Sequence, residues 1–269
     1  MIDMLDLGAI HASLSGTIFA GKVHLFPTID STNAFAMREG ASGALHGSVY
    51  VAEEQTAGRG RGDHAWHSEP HAGLYLSILL RPRITPSGAL WLTLLAGLAV
   101  QEAIANVTNV VADIRWPNDL LFGSRKFGGI LTEMSADAVQ VRYAVIGIGI
   151  NVSHGQFPPD LRGMATSLFL ESVRAPARQD VLIAILQVMD SDLGVLLSDE
   201  GFEAATESIL KRMEKNSSWV RGKWVMVGEA GGYTGVTAGL DTRGFLRVET
   251  SGGIRTVLSG GVRAASAKD

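Results

Sequence analysis

Apolar positions recur along the chain with two different periods, and each change of period marks an element. Residues 5–14 carry the spacing of a short helix, and 22–26 alternate like a strand. Asp30-Ser31-Thr32 offers side-chain oxygens that cap a helix running to about Glu39. Residues 48–52 and 73–81 read as strands, the second with Tyr75, Ser77 and Leu79 on one face. Between them, 56–72 has no period and is rich in Gly, Arg and His, so it reads as a loop. Residues 87–105 form the clearest helix: Ser87 supplies a cap, and apolar residues surround its middle, which predicts a buried position.

Residues 113–116, 120–122, 129–135 and 139–150 have the pattern of strands in a mixed or antiparallel sheet, and 180–197 and 202–213 that of amphipathic helices. The character changes after Lys215-Asn-Ser-Ser218. Short alternating runs at 224–227, 236–240, 245–249 and 254–258 are split by Gly and Asp turns, which suggests a small all-β barrel. The pattern therefore predicts an α+β body over 1–217 and a β cap over 218–269.

Composition narrows the chemistry. The chain has 269 residues, room for one large domain and one small one. It contains no cysteine, which excludes disulfides, thiolate metal sites and cysteine nucleophiles. The net charge is −4, so nothing global attracts nucleic acid or an anionic membrane, and anion binding must come from a local arrangement. The start lacks a basic region and carries Asp3 and Asp6, unlike an export signal. The apolar run 93–100 is followed by Gln101 and Glu102, too short to span a bilayer. A cytoplasmic protein with no membrane partner is expected. Glycine is in excess, at 32 residues, so its positions carry information.

Four segments hold candidate chemistry. In Glu54-Gln-Thr-Ala-Gly-Arg-Gly-Arg-Gly62, Gly58, Gly60 and Gly62 flank Arg59 and Arg61. Glycines let a backbone approach a ligand, and each guanidinium fork suits phosphate or carboxylate, so the loop reads as an anion grip rather than a plain turn. Its spacing is neither that of a Walker A loop nor that of a dinucleotide fingerprint. The second segment is Arg115-Trp-Pro-Asn-Asp-Leu120 followed by Ser124-Arg-Lys-Phe-Gly-Gly-Ile-Leu131. By spacing alone Lys126 reads first as a solvated hairpin-turn lysine; the chemical alternative is an ammonium fixed beside an acyl phosphate, with a carboxylate for Mg²⁺ or an amine. The third, Ile146-Gly-Ile-Gly-Ile-Asn151, reads equally as a bulged core strand or as one approached closely by a ligand. The fourth, His64, His67 and His71 with Glu69, lacks the helical pairing of a zinc motif and reads as ordinary loop histidines.

Taken in order, Asp30-Ser-Thr-Asn33, the 55–62 loop with Trp66, 74–80, Trp116-Pro-Asn-Asp119, Lys126 with Gly128-Gly-Ile-Leu131, and Gly147-Ile-Gly-Ile-Asn151 resemble the biotin protein ligases. Ala165-Thr-Ser-Leu168, Ser259-Gly-Gly-Val-Arg263 and the β cap are also similar. The resemblance implies a catalytic domain like that of class II aminoacyl-tRNA synthetases, followed by an SH3-like β domain. It implies ATP-dependent attachment of biotin, through biotinyl-5′-AMP, to a lysine of a biotin carboxyl carrier protein domain of acetyl-CoA carboxylase or a related carboxylase. By the same resemblance Ser31, Thr32, Asn33 and Gln55 meet biotin, with Gly58, Gly129 and Gly147 lining its pocket and Trp66 packing as the loop closes. Arg59 and Lys126 meet the carboxylate and α-phosphate, and Arg61 retains the adenylate. Asn118 and Asp119 serve the phosphate, Mg²⁺ (through Asp119, with ATP) or the attacking amine. Asn151 and the stretch 157–165 hold ribose and adenine. Association into a homodimer through the central sheet is a further implication.

Two departures qualify the likeness. The segment before Ser31 is too short for a helix-turn-helix domain, so no DNA binding is expected. The loop continues Gly62-Asp63-His64-Ala65, less basic than in some relatives. Rival readings are a lipoate ligase, an ATP-independent acyltransferase organised by Lys126, and a ligand-sensing module.

Overall fold

The computed structural model describes residues 4–265 apart from 63, 174, 175, 199, 230, 259 and 260. Asp3, Asp63, and Ser259 and Gly260 of the end motif therefore lie outside the described residues. Helix α1 (Leu7–Ser13) leads into strand β1 (Val23–Phe26), helix α2 (Thr32–Ala41), and strands β2 (Ser48–Ala52) and β3 (Gly73–Leu80). The long helix α3 (Ala89–Thr108) precedes β4 (Asp113–Arg115), β5 (Asp119–Phe122), β6 (Arg125–Ala136) and β7 (Val141–Asn151). These strands form a seven-stranded sheet in the order β1-β2-β3-β7-β6-β5-β4. It is mixed, because β1 pairs parallel to β2 while the other neighbours run antiparallel.

The alternation expected on β3 is observed, but both of its faces are buried. Leu74, Leu76, Ile78 and Leu80 join the main core beside α3 and α5 (Arg178–Leu196). Leu79, on the other face, packs with Ala36 of α2, Tyr50 and Val145. Ser77 shares Leu79's face, and there the sheet becomes polar.

Three local expectations are corrected. Ser87 does not cap α3: its hydroxyl lies 2.9 Å from that of Thr85, a 3₁₀ turn (Pro86–Gly88) leads in, and no side chain caps the helix. The helix continues to Thr108, where Asn109 ends it in the left-handed backbone region at φ 57°. A short helix α4 (Leu168–Glu171), capped by Ser167, lies where sequence period indicated nothing. Finally, β6 begins at Arg125, so Lys126 is a strand residue and not a turn residue. Among the described residues, 86–108 is the one helical stretch long and apolar enough to cross a bilayer; its most apolar window is 78% buried inside the protein, as for a core helix.

Helix α6 (Phe202–Asn216) hands over to five antiparallel strands: β8 (Arg221–Val227), β9 (Tyr233–Leu240), β10 (Leu246–Thr250), β11 (Gly253–Val257) and β12 (Val262–Ala264). They are ordered β11-β10-β9-β8-β12. The apolar interior does not stop at this junction, since Trp116, Leu120, Val225, Leu246 and Val262 belong to one continuous cluster. Trp116 Nε1 donates to the carbonyl of Gly244 at 2.9 Å, in buried surroundings. Removing that donor in Trp116→Phe leaves the carbonyl unsatisfied, with an expected loss of about 1–3 kcal/mol in chemical denaturation. An unchanged midpoint would show that the bond contributes nothing to the union of the two sheets.

Candidate active site

The site begins where α2 meets the sheet. Ser31 caps α2, its hydroxyl accepting from Ala34 N, which fixes Thr32 and Asn33 in the first turn above β3. Gln55 Oε1 accepts from both the backbone and the hydroxyl of Thr32, at 2.8 and 3.0 Å, and Gln55 Nε2 donates to Ser68 Oγ at 3.0 Å. Ser77 Oγ lies 2.7 Å from Asn33 Oδ1 and 2.9 Å from Thr32 Oγ1. Asn33 Nδ2 in turn donates to Leu131 O and to Glu133 Oε2, the latter at 2.9 Å. These bonds hold a buried polar rim at one end of a narrow slot of about 50 Å³.

The floor of the slot consists of glycines. A Cβ on Gly149 would come within 2.5 Å of the Trp66 indole, and one on Gly147 would collide with the Asn33 amide. Both positions exclude any side chain, which settles the role of the glycine strand: another group approaches it closely. Trp66 lies over this floor, with Lys126 Nζ 5.4 Å from its ring centre.

Trp66 is carried by the glycine–arginine loop, which folds back on itself. Trp66 N donates to Gly58 O at 2.8 Å, and Gly60 N to His64 O at 2.7 Å. Gly62, at the tip, takes φ 61°, a conformation that favours glycine. Arg59 Nη2 reaches Glu133 Oε1 at 3.3 Å, and Arg61 Nη1 donates to Asn118 Oδ1 at 3.0 Å. Asn118 is itself anchored, donating through Nδ2 to Ile130 O at 2.9 Å.

Lys126 is aimed by an irregularity. The β5–β6 register shifts so that Leu120 faces Gly128 while Leu121 faces Lys126, leaving Phe127 as the extra residue. Such bulges turn a neighbouring side chain, and Phe127, fully buried, anchors this one. The backbone of Lys126 is clamped as well: its N–H donates to Met164 O at 2.8 Å, and its carbonyl accepts from Thr166 N at 2.9 Å. Lys126 Nζ lies 2.6 Å from Asp119 Oδ1, while Arg115 holds Asp119 Oδ2 at 2.6 and 3.0 Å. Burial is the largest single influence on Asp119 and works against its charge, but Lys126 and Arg115 together outweigh it and keep the carboxyl below its ordinary range.

Two open clefts adjoin the slot. One is lined by Arg61, Arg115, Lys126 and Arg263, with Asp119 as its only carboxylate among the described lining residues. In a chain of net charge −4 this is a local cationic site suited to phosphate. The other is lined by Asn151, Phe157, Leu161, Met164 and Ala165, together with Arg263. Asn151 is buried there, its Nδ2 donating to Thr166 O at 3.0 Å. The slot and both clefts share two lining side chains of opposite character, Trp66 and Lys126.

Ser31, Thr32, Asn33, Gln55, Arg59, Arg61, Trp66, Asn118, Asp119, Lys126, Gly129, Gly147 and Asn151 thus all line the slot or its two clefts, whereas Gly58 lies behind Trp66 and His71 turns to Glu53 instead. Asp119 does not fit a metal-ligand role, because both of its oxygens are already engaged by cations. Sequence reasoning missed Glu133, which restrains Arg59, and gave no role to Arg115 or to Arg263 of the end motif, which add positive charge from β4 and β12. Only the alternation of β6 signalled Glu133.

Residues 25–151 match the model of the "Biotin/lipoate A/B protein ligase family". The chain is 42% identical to a bifunctional ligase/repressor BirA of Bacillus spizizenii, over 59% of this chain and 49% of that protein. It is 37% identical to a biotin–[acetyl-CoA-carboxylase] ligase of Mycobacterium tuberculosis, over 60% of each. The aligned stretches therefore span about half to three-fifths of these curated relatives. A biotin protein ligase from Aquifex aeolicus, solved with biotin and ATP, superposes with a TM-score of 0.76 at 30% identity, covering 91% of this chain and 100% of that one.

Proposed function

The chain belongs to the biotin protein ligases of the biotin/lipoate A/B protein ligase family, and from that premise we propose that it activates biotin with ATP and transfers it to a carrier lysine. The meeting of the slot, the cationic cleft and the more apolar cleft at Lys126 and Trp66 carries this reading. The bicyclic head of biotin fits the slot, where Ser31, Thr32, Asn33 and Gln55 supply polar contacts above the Gly58, Gly129 and Gly147 positions. The valerate carboxylate then points towards Lys126, and the adenosine of ATP occupies the cleft of Asn151 and Phe157.

In the first step a carboxylate oxygen bonds to the α-phosphorus while the bond to pyrophosphate breaks. Lys126, Arg59 and Arg61 neutralise the charge that gathers on the phosphoryl oxygens. In the second, the carrier's ε-amine attacks the acyl carbon, the bond to AMP breaks, and the amine proton passes to solvent. Neither step calls for a protein nucleophile, in keeping with the absence of cysteine. Mg²⁺ enters with ATP as part of the substrate. Asp119 is assigned to holding Lys126 in place, and Asn118 to holding Arg61. The partner follows from the chemistry as a biotin carboxyl carrier domain, and a cytoplasmic setting is in keeping with the supply of ATP that the reaction needs.

Pyrophosphate exchange into ATP tests the proposal. Exchange that depends on biotin is expected; exchange with lipoate alone, or with neither acid, would overturn it in favour of a rival. A separate prediction concerns retention. Arg61→Gly removes the bond to Asn118 and frees the loop tip, so activated biotin should escape and label bystander proteins. Labelling that stays confined to the carrier would remove Arg61 from that role.

A further inference from the structure

His67, Glu69 and His154 offer three ligand atoms that all lie within 4.8 Å of one another. His67 Nε2 and Glu69 Oε2 are 4.0 Å apart on the loop just past Trp66, both partly exposed. His154 comes from the segment after β7 and is only 1% exposed, yet neither of its ring nitrogens has a hydrogen-bond partner. Buried polar atoms in native proteins are almost always partnered, so a ring with both nitrogens unmatched calls for an explanation. The surroundings of His154 otherwise fix it firmly. Its carbonyl accepts from Ser167 Oγ at 2.6 Å, its ring stacks on Phe157 at 5.3 Å, and His67 lies 6.0 Å away, centre to centre.

We propose that His67, Glu69 and His154 form a binding site for a divalent transition metal of the zinc type, clipping the root of the glycine–arginine loop to the wall of the adjoining cleft. The donor set decides the class of ion. Two imidazoles and one carboxylate suit Zn²⁺, Co²⁺ or Ni²⁺, whereas Mg²⁺ and Ca²⁺ require oxygen ligands. Neighbouring ligands of a tetrahedral ion with bonds of 2.0–2.1 Å sit about 3.4 Å apart, a gap that small rotations of the exposed His67 and Glu69 can close. Burial, with the nearby His67, pushes the His154 pKa down to about 4, so its ring carries a free lone pair at neutral pH. With three protein ligands, a fourth position stays open to water. The three ligands are none of the residues assigned to biotin or ATP, although His67 also lines the cleft assigned to adenosine and His154 stacks on its Phe157; ion binding is therefore read directly, without the ligase reaction.

The test uses the full chain without a polyhistidine tag, stripped with a chelator, titrated with Zn²⁺ by calorimetry and with Co²⁺ by visible absorption. One ion per chain is expected, insensitive to excess Mg²⁺. His67→Ala and Glu69→Gln, both at exposed positions, should each weaken binding by about a hundredfold, because even indirect partners of metal ligands cost 10–100-fold. His64→Ala, in the same loop but outside the triplet, should leave binding unchanged. Wild-type protein that takes up no ion, or binding that survives both His67→Ala and Glu69→Gln, overturns the proposal.

Discussion

Lys126→Ala should lower the rate of biotin-dependent pyrophosphate exchange by about 10²–10³-fold, the scale on which a single preorganised charge stabiliser acts. The size of the effect follows from the way the ammonium is held. A bulge aims it, backbone bonds to Met164 and Thr166 clamp its base, and Asp119 restrains its tip at 2.6 Å. A pendant lysine would have to be ordered at each turnover, whereas this one is ordered in advance. Folding should survive the change, because the Lys126 side chain is 34% exposed. The acid limit of stability should nevertheless move. A carboxyl held below its ordinary 3.8 contributes stability above that value and loses it as pH falls through the lower folded value. Without Lys126, Asp119 keeps only Arg115 to offset its burial, so acid unfolding should begin at a higher pH. Near-normal exchange in a folded Lys126→Ala protein would remove this residue from the chemistry.

Arg178→Met should be the most damaging single change to stability, at about 3–5 kcal/mol. Arg178, at the start of α5, is fully buried; its Nη1 donates to Glu53 Oε2 at 2.6 Å and to Gly73 O at 3.2 Å. Glu53, at the end of β2, is only 4% exposed and also lies 3.1 Å from His71 Nδ1. Removing the guanidinium leaves a carboxylate in the interior without its main counter-charge, and that penalty exceeds any gain from a well-packed methionine. A fall in melting temperature on the order of 10 °C is expected for a chain of this size. The double variant Arg178→Met with Glu53→Gln should recover much of the loss, since no buried charge is then stranded. A single variant that melts like the parent, or a double variant no better than the single, would show that the pair does not hold these elements together.

The order of elements was legible in the sequence wherever a period ran long enough. Strands β3 and β7 and helix α3 announce themselves because burial imposes a pattern on every residue. The ends of α3 were not legible, because a serine near a helix start is no cap unless the backbone presents it, and here Ser87 turns to Thr85 instead. Of the site, the loop arginines, the glycine floor and Lys126 stood out by composition and order. What stayed hidden depends on distance in the fold: the bulge at Phe127, the reach of Glu133 to Arg59, and the delivery of Arg263 and His154 from far along the chain. The glycines illustrate the division well. Their excess is a property of the sequence, but only the indole above Gly149 and the amide above Gly147 explain why nothing larger can stand there.

Arg263 of β12 lines the same clefts as Lys126 of the central sheet, and Trp116 ties that sheet to Gly244 beside the smaller one. A nucleotide bound in those clefts would touch both sheets at once. Its binding energy is then shared between them by mass action, so each tenfold excess of ligand over its dissociation constant should raise the resistance of both to unfolding by about 1.4 kcal/mol. Hydrogen exchange in β8–β11, which do not line the clefts, should therefore slow when ATP is added. The smaller sheet would register the nucleotide almost entirely through a neighbour's grip.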